Sequence, residues 1–106
     1  MLHPRQAEAQ RRIEIAFQED SKSLDLSTLT LTSVPPELGQ LSNLSELYLD
    51  QNQLTSVPPE LGQLSNLATL VLDRNPNLAF PPPEILAQGT QAVLIYQQSF
   101  DSRASH

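Results

Sequence analysis

Residues 31–44 and 54–67 are the same fourteen letters, LTSVPPELGQLSNL, written twenty-three positions apart. A string of that length copied at a fixed interval constrains the fold before any local reading begins. Periods of about 20–50 residues are the signature of units that stack on one another. Set at a period of twenty-three, the chain gives three registers: SLDLSTLTLTSVPPELGQLSN, LSELYLDQNQLTSVPPELGQLSN and LATLVLDRNPNLAFPPPEILAQG. One extra residue enters the third around Asn77 to Phe80, and the copy degrades there.

Within each register the periodicity is that of a short strand. ELYLD and TLVLD alternate at period two, so Leu47 and Leu49 face one side while Glu46, Tyr48 and Asp50 face the other. Strands repeating in like direction are parallel, because the stretch between them carries the chain back to its starting edge. That return stretch, SVPPELGQLSN, has Pro at a first helical turn and Gly a few residues on, the punctuation of a short helical or 3₁₀ turn. Leu61, Leu64 and Leu67 are then expected to point inward with Leu70 and Leu72.

The three registers resemble the intracellular leucine-rich repeat, written LxxLxLxxNxLxxLPxxLxxLxxL. The second register carries the resemblance at Leu44, Leu47, Leu49, Asn52, Leu54, Val57, Pro58, Leu61 and Leu64, and the match extends over residues 21 to about 83. The resemblance implies an α/β fold. The fold so implied is a short leucine-rich-repeat solenoid with about three parallel strands on the concave face, short helical or 3₁₀ turns on the convex face, and helical caps at both ends. It also implies that Asn52 and Asn75 are buried and hydrogen-bond the backbone of the adjacent coil as a structural ladder. The first register has Leu29 at that position, as suits an edge repeat with no preceding coil to receive an amide.

An open stack exposes apolar faces, so terminal caps are expected. One domain spanning residues 1–106 divides into an N-terminal helical cap over 4–20, repeats over 21–83, a C-terminal helical cap over 84–100 and a frayed tail over 101–106. In the first cap Ala7, Ile13, Ala16 and Phe17 supply an apolar stripe, with Pro4 suited to a helix start. In the second, Gly89 is a stop and Thr90 an N-cap. VLIY alone fits a strand as well, but its Gln and Ala flanks and the cap favour helix. This closing stretch also resembles the junction that ends the repeat array of bacterial Roco-type proteins, where a GTPase domain follows. No GxxxxGK[ST] is present, so the chain carries no phosphate-binding loop of its own.

Composition narrows the function classes. The net charge is −6, with five Arg and one Lys, which disfavours nucleic acid and anionic membrane surfaces as partners. There is no cysteine, so thiolate metal sites and cysteine nucleophiles are excluded. The start MLHPRQAEAQRRIEIAFQED has no continuous apolar run of the kind a signal peptide needs, which places the chain in the cytoplasm as an expectation. His3 and His106 lie at the two ends, and no GxSxG appears. No catalytic residues, cofactor or metal are expected. Asp50 and Asp73 fall at equivalent places in successive strands, but the first strand offers only Ser27 in that row, so a solvated acidic row is the better reading.

What varies between registers points to function. The return segment is copied without change, Glu37/Glu60, Gln40/Gln63 and Ser42/Ser65 included, while the strand changes at Glu46/Thr69, Tyr48/Val71 and Gln51/Arg74. In the first register these positions are Ser23, Asp25 and Thr28. A copied scaffold with a varied inner face is the pattern of a protein-binding surface, here Asp25, Glu46, Tyr48, Asp50, Thr69, Val71, Asp73 and Arg74. Tyr48 is the natural anchor, and the acidic surroundings favour a protein partner with a basic patch. Two other roles compete: self-assembly through the sheet edges, and a regulatory fragment of a Roco-like GTPase system.

Overall fold

The computed structural model describes residues 4–79 and 81–98. The tail over 101–106 and both histidines lie outside the described residues. Helix α1 (Pro4–Glu19) leads to strand β1 (Ser23–Asp25). A 3₁₀ turn at Pro36–Gln40 precedes β2 (Glu46–Tyr48), and a second at Pro59–Gln63 precedes β3 (Thr69–Val71). Helices α2 (Pro83–Leu86) and α3 (Thr90–Gln98) close the chain. The strands form one parallel sheet in the order β1-β2-β3, with Leu24, Leu47 and Leu70 in register across it.

The element spacing follows the repeat. The two 3₁₀ turns start at Pro36 and Pro59, where proline's fixed φ suits a helical first turn and its missing N–H goes unneeded. In the third register the helical turn becomes α2, and Pro83 opens it one residue late, as the insertion near Asn77–Phe80 requires. Each turn buries a leucine, Leu38 or Leu61, against the leucines of the strands. Gly39 has a specific reason to be glycine: a Cβ there would lie 2.8 Å from the Glu60 carbonyl oxygen and 2.9 Å from the Glu60 Cβ. The two 3₁₀ turns approach so closely that no side chain fits between them.

One aliphatic core runs through the stack. Leu26, Leu31, Leu38, Leu44, Leu47, Leu49, Leu54, Leu61, Leu64 and Leu67 are essentially fully buried. Leu70 and Leu72 pack against this core, as expected of them, but are covered less completely than the other leucines. They are only half-buried, because β3 has no further strand on its far side and α3 covers them incompletely.

The N-terminal helix corrects an expectation. It buries Ala9, Ile13 and Ala16, whereas Ala7 is exposed and Phe17 stays 55% exposed. Ala9, Ile13 and Ala16 recur at spacings of four and three, which defines one narrow stripe. Two alanines on that stripe let the helix lie close to the coil, and Phe17, about 100° round the axis from Ala16, is left at the side of the contact.

At the other end α3 packs across the second 3₁₀ turn, burying Val93 and Leu94. Gly89 takes φ 100 between α2 and α3, a conformation costly for any residue with a side chain. The hydroxyl of Thr90, expected as a helix N-cap, instead accepts the Leu70 N–H at 3.2 Å. It serves the sheet edge, where that amide has no strand neighbour. Gln97, buried on α3, donates to the Val57 and Pro58 carbonyls at 3.1 and 3.0 Å. No helix among the described residues is long and apolar enough to cross a membrane.

Candidate functional site

The sheet face opposite the leucines is built in rows by the strand register. Ser23, Glu46 and Thr69 form one row; Asp25, Tyr48 and Val71 form the next. The backbone pairing continues past the strand ends, with Thr28 N–H on the Asp50 carbonyl at 3.2 Å and Gln51 N–H on the Asp73 carbonyl at 2.9 Å. Asp50 and Asp73 therefore occupy neighbouring places in a third row with Ser27. The strands bring Asp25, Glu46, Tyr48, Thr69, Val71, Asp50 and Asp73 onto one surface. Tyr48 and Val71 are half-buried at its centre, and Glu46, Asp25 and Asp73 are exposed around them.

Arg74 sits differently. It lies beyond β3 with φ 60, and its equivalents Thr28 and Gln51 have φ 59 in each coil. Alternation from Thr69, Val71 and Asp73 does not reach position 74, which is a candidate because it varies between registers, and a left-handed residue at the corner ends the strand pattern there. Arg74 is exposed at the rim of the surface.

Local chemistry sharpens the negative character of the face. The Tyr48 hydroxyl donates to Glu46 Oε1 at 3.3 Å, and the charge of Glu46 raises the phenol above its ordinary range, with burial and Asp25 adding to the shift. Asp25 accepts from the Ser27 hydroxyl at 2.6 Å and from the Ser27 N–H at 2.9 Å, and these bonds hold its carboxyl below the usual range. Asp50 accepts from the Gln51 amide at 3.1 Å. Among the described residues no three His, Asp or Glu side chains converge as a metal site would need.

The rows hold their geometry because of the turn that follows each strand. Asn52 Oδ1 accepts the Leu29 and Leu31 N–H groups, both at 3.0 Å, while Nδ2 donates to the Leu26 and Leu49 carbonyls at 3.0 Å and to Asp50 at 3.2 Å. Asn75 accepts from Leu54 N–H at 3.1 Å and donates to the Leu49 and Leu72 carbonyls at 3.0 and 2.9 Å. Each amide ties its own coil to the one before. Leu29, at the equivalent place in the first coil, is buried.

On each free edge of the sheet one outward backbone group is taken by a side chain. Leu26 N–H points to β2, where it bonds the Tyr48 carbonyl at 2.8 Å, so the Asp25 carbonyl of the same peptide plane points outward. Arg12 Nη1 takes it at 2.8 Å, while Arg12 Nε is held by Glu8. Thr90 does the same for Leu70 N–H on the opposite edge. Neither Arg12, Thr90 nor Gln97 is marked by the repeat; Arg12 and Gln97 were missed by the sequence, and Thr90 was given another role, because each acts on a backbone group far away in the chain.

The copied polar residues of the return segment also gain a packing reason. Glu60 and Gln63 are half-buried where the 3₁₀ turns meet at Gly39, and Asn66 donates to the Ser42 carbonyl at 3.0 Å. Their identity between copies therefore owes something to inter-coil contact.

A family model described as leucine rich repeat matches residues 22–76, just over half of the chain. A search of curated proteins finds no match. Domains of the matched family generally mediate protein–protein interaction and are typically not enzymes. Three parallel strands in phase with that match, each returned through a short helical turn, make the conclusion plain: the chain belongs to the leucine-rich repeat family.

Proposed function

We propose that the chain is a non-catalytic binding module that holds a protein partner on the sheet face, with Tyr48 as anchor and the surrounding carboxylates selecting a basic patch. The observation that carries this reading is the row Asp25–Tyr48–Val71, where register alone sets a half-buried aromatic and an aliphatic side chain among exposed acids. An aromatic anchor at the centre of a contact often contributes about 2 kcal/mol or more, and rim charges act mainly on association rate and specificity. Three short strands offer a surface at the small end of stable interfaces, so modest affinity is expected. The cytoplasm is the proposed compartment.

The other two readings rank behind it. Self-assembly by edge pairing has to displace Arg12 from the Asp25 carbonyl and Thr90 from the Leu70 amide. A Roco-like regulatory role rests on the resemblance of about twenty closing residues. The test is a pull-down comparing wild type with a folded Tyr48→Ala, Asp50→Lys variant. A protein retained by the first and lost by the second supports the sheet face; equal retention moves the site elsewhere.

A further inference from the structure

The charged residues of α1 divide between two sides. On one, Glu8 is bonded by Arg11 and Arg12, and the Arg12 hydrogen bond followed by that of Arg11 lowers its carboxyl pKa. On the other, Gln10, Ile13, Glu14 and Phe17 line a hollow of about 280 Å³ against Pro35, Glu37 and Gln40 of the first return segment. Those α1 positions fall at spacings of three, four and seven, one face of the helix over two turns. Ile13 and Pro35 are buried in its floor, and Phe17 is the exposed wall. A smaller hollow of about 60 Å³ continues past Phe17 and Gln40 to Asp20.

Every formally charged side chain along this path is acidic: Glu14, Glu37 and Asp20. Among the described residues none of the three carboxylates makes an ion pair or hydrogen bond. The path ends at the C-terminus of α1, the negative end of the helix dipole, and the last turn has no basic residue to offset it. The hollow thus combines an apolar floor of Ile13 and Pro35 with negative charge at three points that no described side chain pairs.

We propose that the hollow between α1 and the Pro36–Gln40 turn docks a basic amphipathic helix of a partner protein. That helix seats one large apolar side chain beside Phe17 and lays Lys or Arg on Glu14, Glu37 and Asp20. Charge complementarity selects this occupant over a second copy, because a chain of net charge −6 repels itself at an acidic surface. The site is on a different surface from the sheet face, and the proposal stands without that reading. The helix-in-groove arrangement supplies affinity through the anchor, and the carboxylates supply orientation and on-rate.

The test is a two-dimensional ¹⁵N–¹H NMR titration of the intact protein with a designed Leu/Lys helix of about four turns. A Leu/Glu peptide of the same apolar spacing is the control. Expected are shifts at amides of residues 10–17 and 37–40, none in β2 or β3, and none with the Leu/Glu peptide. Phe17→Ala, a change at an exposed position, should weaken binding by about fivefold or more. Glu14→Lys with Glu37→Lys should weaken it by about tenfold or more, and added salt should weaken wild-type binding. Equal affinity of the two peptides, shifts centred on 46–48 and 69–71, affinity unchanged by both variants, or a concentration-dependent doubling of mass through this face would each overturn the proposal.

Discussion

Leu47 and Leu70 hold the same place in the repeat, as do Leu49 and Leu72, yet the first of each pair is fully buried and the second is not. The two coils have the same letters in these positions and different neighbours. The second coil has a strand on either side; the third has β2 on one side and α3 on the other. Helix α3 leaves an open hollow of about 160 Å³ between Leu70, Leu72, Leu86 and Val93. The asparagines repeat the contrast: Asn52 accepts two backbone N–H groups from the first coil, both in buried bonds. In a stacked fold, burial belongs to the neighbourhood, and the central coil draws on two of them.

The sharpest way to break that comparison is a pair of truncations. Leu49→Ala should cost about 3–5 kcal/mol, and Leu72→Ala about 1–2 kcal/mol, since a half-buried side chain loses less contact and leaves a space water already reaches. Urea denaturation of both variants decides it, and equal losses would mean the end coil is as well covered as the middle one. Next in size, Asn52→Ala should cost about 2–4 kcal/mol, because it orphans buried N–H groups at Leu29 and Leu31, and more than Asn75→Ala. The same denaturation curves rank the two.

Gly39→Ala should cost about 1–3 kcal/mol, the range for forcing a methyl into a packed contact. It sharpens the comparison because the contact at Glu60 joins the first coil to the second; a thermal melt unchanged from wild type would deny that closeness. The smallest effect is titration. Only the first coil has Ser27 beside its strand acid, so Ser27→Ala should raise the Asp25 pKa toward the ordinary carboxylate value. The lowered folded pKa means that Asp25 adds stability above the unfolded carboxylate pKa and loses it as pH falls through the folded value. Removing the hydroxyl should reduce that acid-side loss, and NMR titration of the Asp25 carboxyl measures the shift directly.

Much of the architecture was legible because it repeats. Period-two leucines and a proline-led turn are local rules, three registers in phase turn weak local preferences into one arrangement, and the buried asparagine came from the family resemblance. The sheet-face candidates were placed by the same alternation, which held from Glu46 to Asp50 and from Thr69 to Asp73. It does not extend to Arg74, whose candidacy came from its variation between registers, and a left-handed corner follows the strand there with no glycine to announce it. Thr90 misled for another reason: a threonine before a helix satisfies the local capping rule, and only the proximity of Leu70 N–H reassigns its hydroxyl. Phe17 belonged to the apolar stripe by composition, but the two small alanines set the helix contact without it.

By itself the sequence determined the repeat length, the parallel strands, the order of turns and which leucines face the core, because these depend on spacing along the chain. Tertiary structure decided how far each leucine is covered, which side chains occupy the sheet edges, and where Phe17, Glu14 and Glu37 meet to form a hollow. Those outcomes depend on surfaces supplied by residues distant in the chain, such as Arg12 against Asp25, Gln97 against Val57 and Glu60 against Gly39. Periodicity carries no information about such meetings, since none of these partners sits at a multiple of the repeat that names it.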